Sequence, residues 1–367
     1  MNKFLIVLFF IFSFFEISSF FINFKKEDFS LTEGRKLYKV KGVSLDRILD
    51  KNFFIDIEKQ FNDGLSLRIP FTKALNSFYF YFFKESRVKE VHIGRNNWFY
   101  FLSGTNLAIY HNLYSDEKIN DFKEGIIRLQ KFFKGKGKQV YFLFIPSKIN
   151  MHSENVLLKK KKEGFFLREF ELLLKKEDVN NISVLDDFSE SNERLYFKRD
   201  SHWNDKGAYI AYLNLMKKIQ EENDGFEIEK DFEVGRQNYN PDLVRMINIY
   251  GDWSESFSTY FNRRSIHQSR ISNDGNFSYE KYTYDHSLNK KTVSLVRDSY
   301  GINLLKFLPS SFNVVKSYMS DDMRDCDFFR QQSLLDSDII IFILVERGIV
   351  KFDAVRACFP GYDQGRP

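Results

Sequence analysis

The sequence predicts an α/β fold: a mainly parallel sheet with helices on both faces. Three observations carry that expectation. Between residues 116 and 345, apolar runs of strand length alternate with segments of helical periodicity. Two of the runs, Val140 to Ile145 and Ile339 to Val345, are continuously apolar, as strands buried on both faces require. Polar side chains directly follow three strands, in Pro146-Ser147-Lys148, Asp298-Ser299 and Glu346-Arg347. Open α/β sheets place their sites at such carboxyl ends.

Length and charge bound the function. The chain has 367 residues, 43% of them hydrophobic, enough for one large α/β domain or two ordinary ones. Lys and Arg number 55 against 50 Asp and Glu, a net charge of only +5. That balance argues against a nucleic-acid partner, because such proteins concentrate basic charge on one face. Mild attraction to an anionic glycan or a membrane surface is permitted. The two cysteines, Cys326 and Cys358, form no CxxC pair and no zinc-type spacing, and one disulfide or two free thiols fit them equally. No metal and no cofactor is called for.

Residues 1–24 come first. Phe4 to Phe24 is almost wholly apolar, flanked by Lys3 and by Lys25-Lys26. About 20 apolar residues can span a bilayer, whereas the apolar part of a cleaved signal peptide is usually shorter. An uncleaved signal anchor is therefore preferred over a signal peptide, with the body outside the cytoplasm. Residues 25–52 read as a charged linker and 53–350 as the main domain.

Within that domain, Phe71 to Phe83 is long enough for a helix. Val91 to Phe101 reads as a hairpin around Gly94-Arg95-Asn96-Asn97. Asp116 to Lys134 carries Ile119, Phe122, Ile126, Leu129 and Phe133 at helical spacing, and Gly135 and Gly137 stop it. A strand at 140–145, a helix at 164–176, a strand at 182–185 and a helix at 205–222 follow. Residues 223–290 are polar and read as an irregular insertion or lid. The alternation resumes with a strand at 293–296, a helix at about 302–308 and a strand at 312–317. A helix near 325–335 and the strand at 339–345 complete it. Residues 351–367 show no pattern and read as a tail.

Two stretches carry chemistry. Asp200-Ser201-His202-Trp203 sets a carboxylate two residues before an imidazole, ahead of a helix. Asp298-Ser299-Tyr300-Gly301 sets a serine at a strand-to-turn junction, where free backbone N–H groups can meet an oxyanion. A serine hydroxyl becomes a nucleophile when an imidazole takes its proton, and the imidazole needs an acid to hold its tautomer. Ser299, His202 and Asp200 supply those three groups. The plainer reading stays open beside it: Asp298 or Ser299 caps the next helix, and Asp200 caps beside a satisfied core histidine. Substrate-binding candidates are Trp203 and Tyr300, whose rings would stack on a sugar, and Lys148, Asp252, Arg297 and Arg347, charged groups at strand ends or in loops.

Taken in order, these pieces resemble one family, the SGNH-hydrolase-like O-acetyltransferases typified by the alginate acetylation proteins AlgJ and AlgX. The matching stretches include Ile93-Gly94-Arg95-Asn96-Asn97-Trp98, Ile145-Pro146-Ser147-Lys148, Asp200-Ser201-His202-Trp203-Asn204, Gly251-Asp252-Trp253 and Asp298-Ser299-Tyr300. The resemblance covers about residues 55 to 348. It implies a flavodoxin-like SGNH sheet whose catalytic blocks stand in circularly permuted order, the serine after the Asp/His block. It also implies Ser299 as nucleophile, His202 as base and Asp200 as its orienting acid. Arg297 departs from the glycine that many SGNH hydrolases carry before Asp-Ser. The implied activity is acetyl transfer to a polysaccharide in the cell envelope. The enzyme would be anchored in the inner membrane, facing the periplasm, with a membrane-bound acyltransferase supplying the acetyl group. An acetyl esterase with the same triad and a catalytically silent glycan-binding protein are the rival expectations, followed by a metal site begun by Asp200 and His202, which no second His or Cys cluster supports.

Overall fold

The computed structural model describes residues 51–360 except 66, 263–266, 275–276 and 285, together with 29–30, 35–39 and scattered positions between 6 and 18. Most of the anchor expected over 1–24 and most of the linker lie outside the described residues. Among those described, no helix is long and apolar enough to cross a membrane. The chain divides into two compact units: Met1–Ile93 with Asn240–Ser254, and Gly94–Tyr239 with Glu255–Pro367.

The larger unit is built on a seven-stranded sheet. In chain order its strands are β1 (Gln139–Ile145), β2 (Asn181–Ile182), β3 (His267–Asp274), β4 (Phe277–Thr283), β5 (Asn289–Arg297), β6 (Phe312–Met319) and β7 (Ile339–Val345). Their spatial order is β2-β1-β7-β5-β6-β4-β3. The first five in that order run parallel, and β4 and β3 add an antiparallel edge.

Side-chain alternation divides the core into two layers. Tyr141, Leu143, Ile145, Leu295, Ile341 and Ile343 face helix α3 (Asp205–Glu221) through Ala211, Tyr212, Leu215 and Ile219. Val140, Phe142, Phe144, Val296, Ile340 and Phe342 face α1 (Asp116–Lys134) and α2 (Phe166–Lys176). Helices thus cover both faces, as the continuous apolar runs demanded. Helix α1 has the expected bounds. Ser115 caps it by accepting from the Lys118 N–H, acidic Asp116 and Glu117 stand in the first turn, and Lys131 and Lys134 in the last.

Several expectations need correction. Residues 223–290 are not irregular: Phe232–Tyr239 and Glu255–Asn262 pair as an antiparallel ribbon, and β3 and β4 join the sheet. The ribbon is largely exposed or half-buried, with Glu255 and Thr259 buried, and its residues alternate weakly, so no apolar run marks it. The helix expected at 302–308 is a 3-10 turn, Ser299–Lys306, followed by a short helix Leu308–Ser311 with Pro309 in its first turn. A 3-10 turn (Cys326–Arg330) and one helical turn (Gln332–Leu335) replace the helix near 325–335. The strand at 182–185 shortens to β2, because a helix already begins at Leu185. Residues 352–359 are no tail. Helix α4 (Phe352–Ala357) buries Phe352 and Val355 in the second core layer, and Cys358 forms a disulfide with Cys326. Gly125 of α1 lets α4 come this close, since a Cβ there would lie 1.9 Å from the Phe352 carbonyl oxygen.

The smaller unit contains helices Lys51–Gly64, Arg68–Phe83 and Asp242–Ile247 and the strand Val91–Ile93. The stretch read as a hairpin is strand, turn and strand, ending at Phe99–Phe101. Asn96 and Asn97 supply the positive φ angles of its turn, and the Gly94 N–H donates to the Trp98 carbonyl at 2.7 Å.

Candidate active site

Strands β1, β7 and β5 are neighbours in the sheet and end at one edge, which brings Ser147, Glu346 and Asp298 together. Glu346 is fully buried. One of its oxygens accepts from the Ser147 N–H (3.0 Å) and hydroxyl (2.8 Å), and Asn150 donates to both oxygens. Burial pushes its carboxyl above the ordinary range. Glu346 therefore ties the end of β7 to that of β1. Asp298 ties β5 to β7, accepting the Val345 N–H on one oxygen (2.8 Å) and the Tyr300 N–H on the other (2.9 Å).

Asp298 is thus the cap of the Ser299–Lys306 turn, as the plainer reading had it, and that capping leaves the Ser299 hydroxyl for another partner. The turn packs against the sheet through Gly301, where a Cβ would lie 2.5 Å from the Cβ of Arg297 and 2.8 Å from Ile343.

The Asp200/His202 loop is held from several sides. Its base is a bridge between Tyr196 and Trp203, with the Phe197 N–H donating to the His202 carbonyl and the Asn204 N–H to Leu195. Asn204 then caps α3, its side chain accepting the Lys206 and Gly207 N–H groups. The buried Lys148 ammonium donates to the carbonyls of Phe197, Lys198 and Asp200, the last at 2.7 Å. Glu255, on the ribbon, accepts the Lys198 and Arg199 N–H groups. Asp205, the first residue of α3, pairs with Lys306 and accepts from Asn303, joining the histidine element to the serine turn.

This scaffold brings Asp200, His202 and Ser299 into one line. The buried Asp200 carboxylate meets His202 Nδ1 at 2.7 Å and accepts the His202 backbone N–H at 3.0 Å. His202 Nε2 lies 2.8 Å from Ser299 Oγ. A carboxylate only accepts, so Nδ1 carries the proton and Nε2 turns its lone pair to the serine hydroxyl. The imidazole is 26% exposed, open to a reactant on one side. Such a line can move a proton off Ser299 and hold the resulting imidazolium.

The other candidates fare differently. Trp203 and Tyr300 are buried, so neither offers a ring face to a sugar. The indole N–H of Trp203 donates to the Tyr300 carbonyl, and the Tyr300 hydroxyl to the Ser201 carbonyl. Both brace the Asp200/His202 loop. Lys148 is engaged by the loop carbonyls. Arg297 is buried along the sheet edge, bonded to Ser317 at 2.8 Å and paired with Glu280, and does not face an incoming ligand. Asp252 belongs to the smaller unit, where it is exposed and accepts from Ser254. Arg347 keeps a place at the site. Its guanidinium lies over the rings of Phe101 and Tyr300 and lines a small cleft with Tyr100, Asn106, Ser147 and Ser201, and the buried Lys148 and Tyr300 form part of the same wall.

Residues 91–313, more than half the chain, match the family described as SGNH hydrolase-like domain, acetyltransferase AlgX. The chain belongs to this family. Membership makes it an acetyltransferase of the AlgX type with an SGNH hydrolase-like sheet. Among solved structures it is similar to Bacillus cereus PatB1 with a sulfonyl adduct, at 16% identity and TM-score 0.53 over 70% of this chain and 93% of that one. A second PatB1 structure gives 16% identity and TM-score 0.50, covering 69% and 95%. The O-acetyltransferase domain of Pseudomonas putida AlgJ gives 13% and 0.49, covering 71% and 92%. At these identities the PatB1 likeness speaks to the fold. No curated protein matches the chain.

Proposed function

We propose that this AlgX-family chain carries an acetyl group on Ser299 and passes it to a hydroxyl of a polysaccharide outside the cytoplasm. The observation that supports this most is the unbroken line from Asp200 through His202 to Ser299, at 2.7 and 2.8 Å. His202 Nε2 takes the Ser299 proton as Oγ attacks the acetyl carbonyl of a donor. The bond from acetyl to the donor's leaving group then breaks, and Nε2 returns the proton to that group, leaving acetyl-Ser299. Next, Nε2 takes a proton from the acceptor hydroxyl, whose oxygen attacks the acetyl carbon. The acetyl–Oγ bond breaks and Ser299 regains its proton. Asp200 stabilises the imidazolium in both halves.

Of the backbone donors after β5, the Tyr300 and Gly301 N–H groups are engaged by Asp298. We assign the oxyanion to the Ser299 N–H, a donor of a kind whose loss typically costs about 3 kcal/mol in the barrier. Arg347, beside the cleft, is proposed to orient donor or acceptor. The Cys326–Cys358 disulfide supports an oxidising compartment, consistent with residues 1–24 anchoring a body that faces the periplasm. A membrane-bound acyltransferase would bring the acetyl group across.

Intact-mass spectrometry of the detergent-solubilised full chain tests the reading, using an activated acetyl ester with and without a glycan acceptor. A gain of one acetyl group is expected, absent in Ser299→Ala and His202→Ala and discharged onto sugar. PatB1 has been seen with a sulfonyl adduct, so a sulfonyl fluoride should label Ser299 here. Discharge to water alone would make the chain an esterase. No adduct from either reagent on the folded, unmutated chain would overturn the triad and favour a binding role.

A further inference from the structure

Helix Arg68–Phe83 of the smaller unit is built with its polarity reversed. At about 100° per residue, Phe71, Leu75, Phe78 and Phe82 fall within about 60° of one another. They are 61%, 43%, 47% and 75% exposed. Tyr79, Phe83 and Tyr81, also exposed, widen the stripe on either side. The opposite face is buried and partly polar. Asn76 donates to the Ile247 carbonyl at 2.6 Å, and Ser77 accepts the Tyr250 N–H at 2.8 Å. Phe80 meets Trp253 edge-on. A helix facing water on its outer side shows the opposite arrangement. The preceding helix, Lys51–Gly64, adds exposed Phe54, Ile55 and Ile57. A contiguous apolar surface of this kind marks an interface.

We propose that this face lies in the interfacial layer of a lipid bilayer, as a second membrane contact beside residues 1–24. Charge on the helix and its C-terminal flank favours a lipid surface: residues 68–90 hold five cations (Arg68, Lys73, Lys84, Arg87 and Lys89) and two acids, Glu85 and Glu90, while residues 51–64 hold two cations and three acids. Cations beside exposed rings suit the anionic headgroup level. The Lys84 ammonium lies over the Phe80 and Tyr81 rings, and Arg87 over Tyr79.

Chain connectivity agrees, given the reading of Phe4–Phe24 as membrane-inserted. The Tyr38 N–H donates to Asp63 at 2.9 Å, and Asp63 pairs with Arg68, where the helix begins. Phe24 and Tyr38 are 14 residues apart (38 − 24), at most about 50 Å of chain. The helix start is thus tethered within about 50 Å of the point where the apolar segment ends, a reach that allows both to meet one membrane surface. At 16 residues the helix is about 24 Å long, short of the roughly 30 Å hydrocarbon core. It therefore lies along the membrane rather than across it.

Photocrosslinking tests this with the full chain reconstituted into phosphatidylethanolamine/phosphatidylglycerol vesicles that carry an acyl-chain diazirine lipid. Lipid adducts are expected on two peptide regions, 4–24 and 68–83. In a Phe78→Glu/Phe82→Glu variant the second set should fall to background while the first persists. Both positions are exposed, so unchanged thermal unfolding and Ser299 acetylation would show the variant intact. Adducts on 4–24 alone in the unmutated chain would overturn the proposal and leave the face to a second copy or another protein. Adducts on 68–83 without 4–24 would instead remove the anchor reading and keep this one.

Discussion

Asp200 shows how a single atom can set a tautomer. Its Oδ1 receives both the ring Nδ1–H and the backbone N–H of His202, which fixes the ring plane and leaves Nε2 for Ser299. An asparagine keeps the shape and loses the charge that stabilises the imidazolium. Asp200→Asn is expected to lower kcat on the order of 10³–10⁴-fold with KM little changed, read by steady-state acetyl transfer. The Asp-x-His spacing made this pair legible, because two residues in one loop can touch without help from the fold. Asp298 was legible only as a cap. Its second bond, to the Val345 N–H 47 residues on, exists because β5 and β7 are neighbours in the sheet.

At the level of elements, close packing and burial yield two further tests. Helices α1 and α4 meet at Gly125, and an alanine methyl would press on the Phe352 backbone, which cannot rotate away. Gly125→Ala is expected to destabilise the fold by about 1–3 kcal/mol in a denaturant titration, despite alanine's better helix propensity. On α2, burial pushes the Glu171 carboxyl up to about 7, while Ser183 donates to one of its oxygens at 2.6 Å. The folded chain therefore binds a proton that the unfolded chain releases near 4.5. Stability contributed here falls as pH rises from about 4.5 to about 7. Glu171→Gln should flatten that slope and raise stability above about pH 7 on the order of 1–3 kcal/mol, with no gain below about pH 4.5. Thermal unfolding across pH reads both limbs. The sequence announced α1 through its period and stop glycines, but neither the Gly125 contact nor the Glu171 burial, which depend on partners far along the chain.

For the whole chain, the Cys326–Cys358 disulfide closes a loop of 32 residues around the second core layer. Chain-entropy arguments give such a closure about 3–4 kcal/mol of stability. Reduction, or Cys326→Ser with Cys358→Ser, should lower the denaturant midpoint correspondingly. Ser299 acetylation in buffer should survive, since Trp203 and Tyr300, beside His202 and Ser299, pack in the first core layer and Cys358 packs in the second. Composition left disulfide and free thiols equally open. Folding α4 back onto α1 brings the two Cα atoms to 5.1 Å.

The sequence by itself determined the alternation of strands and helices, the two continuous core strands and the strand-end placement of polar residues, and it named the three groups proposed as the triad. Local spacing and buried apolar runs write these directly into the chain. Tertiary structure alone decided which candidates face outward: it buried Trp203, Tyr300, Lys148 and Arg297, kept Arg347 at the cleft and made Glu346 and Asp298 the ties between strands. It also drew polar, weakly alternating residues into β3, β4 and the ribbon. A side chain's exposure depends on what the rest of the fold lays over it, and strand pairing depends on neighbours tens of residues away. Residue type and spacing record neither.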